Sequence, residues 1–477
     1  MFASLLAALL IPGCTPATGD ARAIIQRSAH AIGLDVVQSK VLMLRGSDVV
    51  SQDYQSDRTS YPPYLSDVQP LELWYSPVSG VERRSASSAM AGYQYGGPVR
   101  VGTERATYMV RDTALVPSED SHAAMYASRP LNAWAVVRDW ENDATARVVE
   151  RCVYRDYPRL VLRRTGAYGA ERLFVDEKSG FPVKLERDER HYLWGQNRVE
   201  YVYSTWQRIG DAAIPGVSFR MVDGQTNVER NLNAIRLVSS DSAPPLEVPP
   251  AASPMSFAPP AFLRPSNPDT IRLAPNVFVL RNPGYAEMVA LARDTVFLFD
   301  ATQGDERARL DSVWIGALFP GKHPIALVVT DVAWPHIAGV RYWASLGTPI
   351  YAHRAAVHMI DSVIARHWTI TPDRLEQTKR RRAPRIHPVS DTLAVAGGEL
   401  LLFAIDGASS EVALAGFDNA THVLWGSDYI QDATAPSMYL DEMCHALRRV
   451  HRTPTTAAAE HLRPTAWEKL RPLAKCL

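Results

Sequence analysis

Eight prolines crowd into the stretch from Ser239 to Pro265, SSDSAPPLEVPPAASPMSFAPPAFLRP. Proline fixes φ and lacks a backbone N–H, so neither a helix nor a central strand continues through such a run. Stretches of this composition form extended spacers. A chain of 477 residues exceeds one ordinary domain. The break therefore divides it into an N-terminal part (24–240), a Pro-rich linker (241–265) and a C-terminal part (266–477).

The two parts differ in pattern. The first opens with a helix-like stretch, ARAIIQRSAHAIG, closed by Gly33. It then alternates apolar and polar residues in LELWYSP, RLVLRRTG, LFVDEKSGFPVKLER and NRVEYVYSTWQRIGDAAIPGVSFRMV. That alternation predicts an antiparallel sheet with one wet face. Trp74, Tyr75, Tyr201, Tyr203 and Trp206 read as core, RDERH at 187–191 as a solvated turn or strand, and EDSHAAMYASRPLNAWAVVRDW as helical. The second part interleaves strand-like runs (NVFVL, IALVVTD, ELLLFAIDG, HVLWGSD) with helix-like ones (DERARLDSVWIGAL, MYLDEMCHALRRV), a layered α/β pattern.

Charge excludes some partners. Lys plus Arg equals Asp plus Glu at 51 each, so no nucleic acid or anionic membrane surface is expected as a partner. The basic run KRRRAPR (379–385) reads as a solvated loop. Phe2 to Ile11 is an apolar run of signal-peptide length, too short to span a bilayer. Two processing routes follow it. IPGC resembles a lipobox and would leave Cys14 lipidated and membrane-attached; ARA ending at Ala23 suits signal peptidase, giving a signal peptide of 1–23. Either predicts an exported, periplasmic or envelope-associated protein. The four cysteines, Cys14, Cys152, Cys444 and Cys476, contain no CxxC pair, and Cys444 with Cys476 is a candidate disulfide.

Two resemblances follow from these quoted residues. Asp176 with SGFP, followed by IGDAAIP, resembles the outer-membrane lipoprotein-sorting and carrier-like domains, which are half-open β-barrels holding a helix. That implies a small-molecule or lipid-like ligand. The C-terminal part resembles the metallo-β-lactamase superfamily, which implies an αββα sandwich. Its strand-to-helix motif, T-H-x-H-x-D-H, aligns with Thr330, Asp331, Val332, Ala333, Trp334, Pro335 and His336. Asp300 follows the opening strands, Asp428 matches the bridging aspartate, and His461 the last histidine. Counting back from Asp428 puts Ser409 at a further histidine position.

The resemblance therefore implies a degenerate site. The three imidazoles of the first metal position are replaced by Asp331, Ala333 and Ser409, and Pro335 replaces the motif aspartate. Zinc is not held tightly by such a remnant. His336, Asp428 and His461 survive as a candidate second site. The expectation is a pseudoenzyme with no cofactor, a binding or scaffold protein of the cell envelope. The alternative is a hydrolase of an ester, lactone, amide or phosphoester using one Zn (or Mn/Fe) ion. A Ser409–His461–Asp428 triad lacks the G-x-S-x-G elbow such a nucleophile needs.

Overall fold

The computed structural model describes residues 13–37, 39–52, 65–90, 93–141, 143–167, 169–191, 193–251, 253–256, 266–282, 284–378 and 384–475. The apolar run Phe2–Ile11, most of the basic run at 379–385, and Cys476 lie outside them. Two compact units emerge. One comprises Met1–Ser51, Ser66–Glu189 and Asn197–Ala258; the other Gln52–Leu65, Arg190–Gln196 and Pro259–Leu477. The division is thus not a single cut in the Pro-rich stretch, since a short excursion at 190–196 belongs with the C-terminal unit.

The N-terminal unit is built on one 15-stranded sheet. Its order runs from Thr15–Pro16 at one edge through Arg147–Tyr154 and the strands that follow in sequence to Gln225–Ser239. Gln225–Ser239 pairs with Lys40–Gln52, and the sheet ends at Ala114–Pro117. Of the residues predicted as core, Tyr75, Tyr201 and Tyr203 are buried and Trp206 packs against the same core, whereas Trp74 is half-buried against a separate cluster with Val41, Val81 and Tyr108. Helices Ala21–Ala31 and Ala133–Glu141 cover this face with Ile25, Ala29, Trp134 and Trp140. Gly33 follows the first helix at φ +75, where a Cβ would lie 2.4 Å from the Asp211 carbonyl, so no larger residue fits.

The described part of the Pro-rich stretch is docked, not free. Leu246, Val248 and Met255 pack with Val41, Val81 and Tyr108 on the sheet face opposite the helices, and Met255 N donates to Arg105 O at 2.8 Å. The RDERH stretch needs a correction. It lies in the strand Pro182–His191, and Arg187 is buried, 3.3 Å from Glu171 and 2.7 Å from Glu189. Charged residues alternated here because the inner face carries ion pairs, and the pattern alone does not distinguish that from a wet face.

The C-terminal unit has four layers. In its seven-stranded sheet, Asp269–Ala274 to Thr295–Phe299 are antiparallel. Ile325–Val329, Ile350–His353 and Ile386–Val389 then continue in parallel. The six-stranded sheet runs from Thr392–Val395 to Thr465–Ala466, with Val423–Trp425 and Thr456–Ala458 parallel. Val279, Met288, Phe299 and Val328 of one sheet share a core with Leu402, Leu414 and Trp425 of the other. Helices Asp305–Leu318, Val340–Leu346 and Val357–Ala365 bury Ala308, Ile315, Trp343 and Ile360 on the first sheet. Helix Met438–Arg449 buries Leu440, Met443 and Leu447 against the second. Parallel strands in both sheets end on Asp300, Thr330, Ser427 and Glu460, and ligands in α/β folds bind outside such strand ends.

Candidate functional site

Two residues at these strand ends hold left-handed backbone, Asp300 at φ +71 and Ser427 at φ +52. Non-glycine residues adopt that conformation at a cost, so the surrounding structure must enforce it. Asp300 is fully buried and accepts from Thr330 N (2.9 Å), Thr330 Oγ1 (2.7 and 2.8 Å) and Trp425 Nε1 (3.1 Å). Its Oδ1 is 3.2 Å from His336 Nδ1. A carboxylate only accepts, so Nδ1 carries the proton and Nε2 is turned the other way.

There Nε2 meets Glu460, whose Oε2 is 3.3 Å away. Both side chains are fully buried. Among the described residues, neither His336 Nε2 nor either oxygen of Glu460 has a hydrogen-bond partner. The Glu460 backbone N–H donates to Ser427 O at 3.0 Å, which fixes the loop after Thr456–Ala458 against the loop carrying Asp428. His336, Asp428 and Glu460 each offer one ligand atom within 4.8 Å of the others.

His461 stands at the rim, about one-third exposed. Its Nε2 is 3.4 Å from Asp428 Oδ1 and 3.6 Å from Glu460 Oε2. Its Nδ1 is 2.8 Å from the Gly284 carbonyl and must donate to it, which leaves Nε2 facing the carboxylates. Tyr285 bridges His461 and Trp334 with ring centroids 5.5 and 5.3 Å apart, an aromatic wall beside the cluster.

Electrostatics follow the crowding of acids. Burial pushes the Glu460 carboxyl well above its usual range, and Asp428, Asp300 and Asp331 add to the shift against His336 alone. For His336, burial opposes the imidazolium, but Glu460 and Asp300 outweigh it and hold its pKa well above normal. A buried carboxylate without a hydrogen bond is costly unless a cation compensates it.

The sequence-derived residues fall into two groups. His336, Asp428 and His461 come together. Glu460 was not anticipated, although it adjoins His461 in AAAEHL; loop length hid which of the two neighbours points inward. At the first-site positions, Asp331 Oδ1 accepts from Ala333 N at 2.9 Å and caps its own loop. Asp331 Oδ2 is 3.3 Å from the hydroxyl of Ser410, the neighbour of Ser409. The Ser409 hydroxyl is buried without a hydrogen-bond partner among the described residues. Pro335 occupies the first turn of the short helix Trp334–Ile337, where proline is tolerated.

The superfamily resemblance implies two metals. One carboxylate, an alanine and serines cannot reproduce three imidazoles, so the first metal does not fit. The second position does fit one divalent ion. Its imidazole is oriented by Asp300 from behind, and its two carboxylates face the same point.

No protein-family model matches the sequence, and no curated protein matches it closely enough to count as a relative. Solved structures similar to this chain include the DIM-1 metallo-beta-lactamase, 13% identical over 44% of this chain and 95% of that one, with a TM-score of 0.34. The metallo beta lactamase from Hirschia baltica is 13% identical over 44% and 96%, also at 0.34. That from Pontibacter korlensis is 14% identical over 43% and 96%, at 0.34. Likenesses this distant say nothing of this chain's activity; its layered architecture rests on its own strand pairing and cores.

Proposed function

We propose that the C-terminal unit binds one divalent cation through His336, Asp428 and Glu460, with His461 completing the set, and that the protein is a single-ion hydrolase. The observation that carries this reading is the group of buried atoms without hydrogen bonds: His336 Nε2 and both Glu460 oxygens. One imidazole with two carboxylates suits Zn, Mn or Fe. Such an ion supplies Lewis acidity and an activated water. Asp300 holds His336 in the tautomer that presents Nε2, and Gly284 does the same for His461. Tyr285 and Trp334 offer an aromatic face to an ester, lactone, amide or phosphoester substrate.

A second reading has its own support. His336 between Asp300 and Glu460 is also the arrangement of a buried imidazolium locked by two carboxylates, and that would serve a non-catalytic binding protein. Elemental analysis of the purified protein, then titration with Zn and Mn, separates the two. The expected result is one ion per chain, lost in Glu460→Gln and His336→Ala, with metal-dependent turnover of an activated ester, lactone or phosphodiester. No uptake of either metal overturns the site; uptake without turnover of any of these leaves the binding protein.

We also propose export to an oxidising compartment, supported by the disulfide between Cys14 and Cys152 and by the disulfide-bonded state of Cys444. Cys476, the partner expected for Cys444, lies outside the described residues. For the N-terminal unit we keep the carrier-like reading with a small-molecule ligand. A cavity of about 530 Å³ in it is lined by Arg105, Arg138, Arg164, Glu104 and Asp143, which favours a polar ligand over an acyl chain.

A further inference from the structure

The residues from Cys14 to Ala31 are built into the N-terminal unit. Thr15 pairs with Arg151 and Pro16 with Glu150, and Ala17 N donates to Val149 O at 3.0 Å. Cys14 is bonded to Cys152 on that neighbouring strand. Asp20 then caps the first helix, its Oδ1 accepting from Ala23 N at 3.1 Å. Ala21, Ile25 and Ala29, spaced to share a helix face, are buried in the main core.

Both processing routes suggested by the sequence take this arrangement apart. A cut after Ala23 falls inside the helix. It removes the capping Asp20, the buried Ala21, the edge strand and Cys14, and it leaves the buried Cys152 as a lone thiol. Lipidation at IPGC turns the Cys14 sulfur into a thioether, which has no thiol left for Cys152.

We propose that Cys14 and residues 15–23 stay in the mature chain, with Cys14 as the disulfide partner of Cys152, so that the protein is neither acylated at Cys14 nor cut after Ala23. The bond forms by thiol–disulfide exchange. Two thiols of this chain lose two electrons and two protons, and the disulfide of a donor oxidoreductase is reduced to a dithiol. Any processing of the preceding segment then falls before Cys14.

Intact and peptide mass spectrometry of the full-length gene product, made in an exporting bacterial host, tests this without reductant. The expected finding is a peptide pair joining Cys14 to Cys152 that separates on reduction. Cys14→Ser is expected to release one alkylatable thiol, at Cys152, relative to wild type. An N-terminus at Ile24, a diacylglyceryl mass on Cys14, or an alkylatable Cys152 thiol in the wild type would each overturn the assignment. An unchanged thiol count in Cys14→Ser would do so too.

Discussion

Asp48 is 1% exposed and holds two guanidiniums across three strands. Its oxygens lie 2.8 and 3.0 Å from Arg230 and 2.6 Å from Arg84. Removing one member of a buried ion group leaves uncompensated charge and costs about 3–5 kcal/mol. Asp48→Asn is therefore expected to lower the denaturant midpoint sharply, and a loss within the error of wild type would show that water reaches the site. Glu189 gives a pH-dependent test. Burial opposes its ionisation, but Arg220 and Arg187 outweigh burial and hold its pKa at about 2. A carboxyl depressed on folding contributes stability that is whole above the unfolded value of about 4.3 and is lost as pH falls toward the folded value. Glu189→Gln should thus be less stable at pH 7 and decline less between about pH 4 and pH 2, as read from melting temperatures across that range. At this scale the sequence was a partial guide. His336 and Asp428 were named because the superfamily motif they resemble puts each at a fixed offset from an apolar strand. Glu460 was not, since a one-residue change in loop path swaps it with His461.

Where the two C-terminal sheets face each other, the contact depends on a missing side chain. A Cβ on Gly416 would lie 2.1 Å from Cε1 of the buried Phe299. Gly416 sits on the strand Leu414–Asp418 and Phe299 ends the strand Thr295–Phe299, one in each sheet. Gly416→Ala must push the sheets apart or displace the ring, at about 1–3 kcal/mol of overpacking. Chemical denaturation should show that loss, and Phe299→Leu should recover part of it in the double variant. Additive losses would mean that the two positions do not meet. Long helices were readable: Asp305–Leu318 and Met438–Arg449 match the helix-like runs, and the second carries a strong apolar period. The parallel pairing of Val423–Trp425 with Thr456–Ala458 was not, because three-residue strands carry no period.

At the scale of the whole molecule, the C-terminal unit borrows Arg190–Gln196 from the middle of the N-terminal sequence. Leu193 from that excursion is 1% exposed in its core. Gln196 Oε1 accepts from Thr369 N, Thr369 Oγ1 and Ile370 N at 2.8, 2.8 and 2.9 Å. A fragment of residues 266–477 lacks these groups, and an unfilled leucine site alone costs about 2–5 kcal/mol. It should melt below the corresponding transition of the full chain; an equal melting temperature would show the excursion to be dispensable. The Pro-rich stretch suggested a division in the sequence, but a seven-residue excursion has neither the length nor the composition to announce itself.

The large N-terminal sheet is open, and open sheets are templates for unwanted growth. Its outermost strands, Thr15–Pro16 and Ala114–Pro117, are two and four residues long, and each ends in proline, which offers no N–H to a newcomer. The strand behind the first of these, Arg147–Tyr154, is eight residues long and would be a far better template if uncovered. The two-residue pairing, the Ala17 N–Val149 O bond and the Cys14–Cys152 bond hold the cover in place. The bond thus acts as a stopper against fibre-like stacking of one molecule on the next, and reduced protein or Cys14→Ser should self-associate faster than the oxidised form.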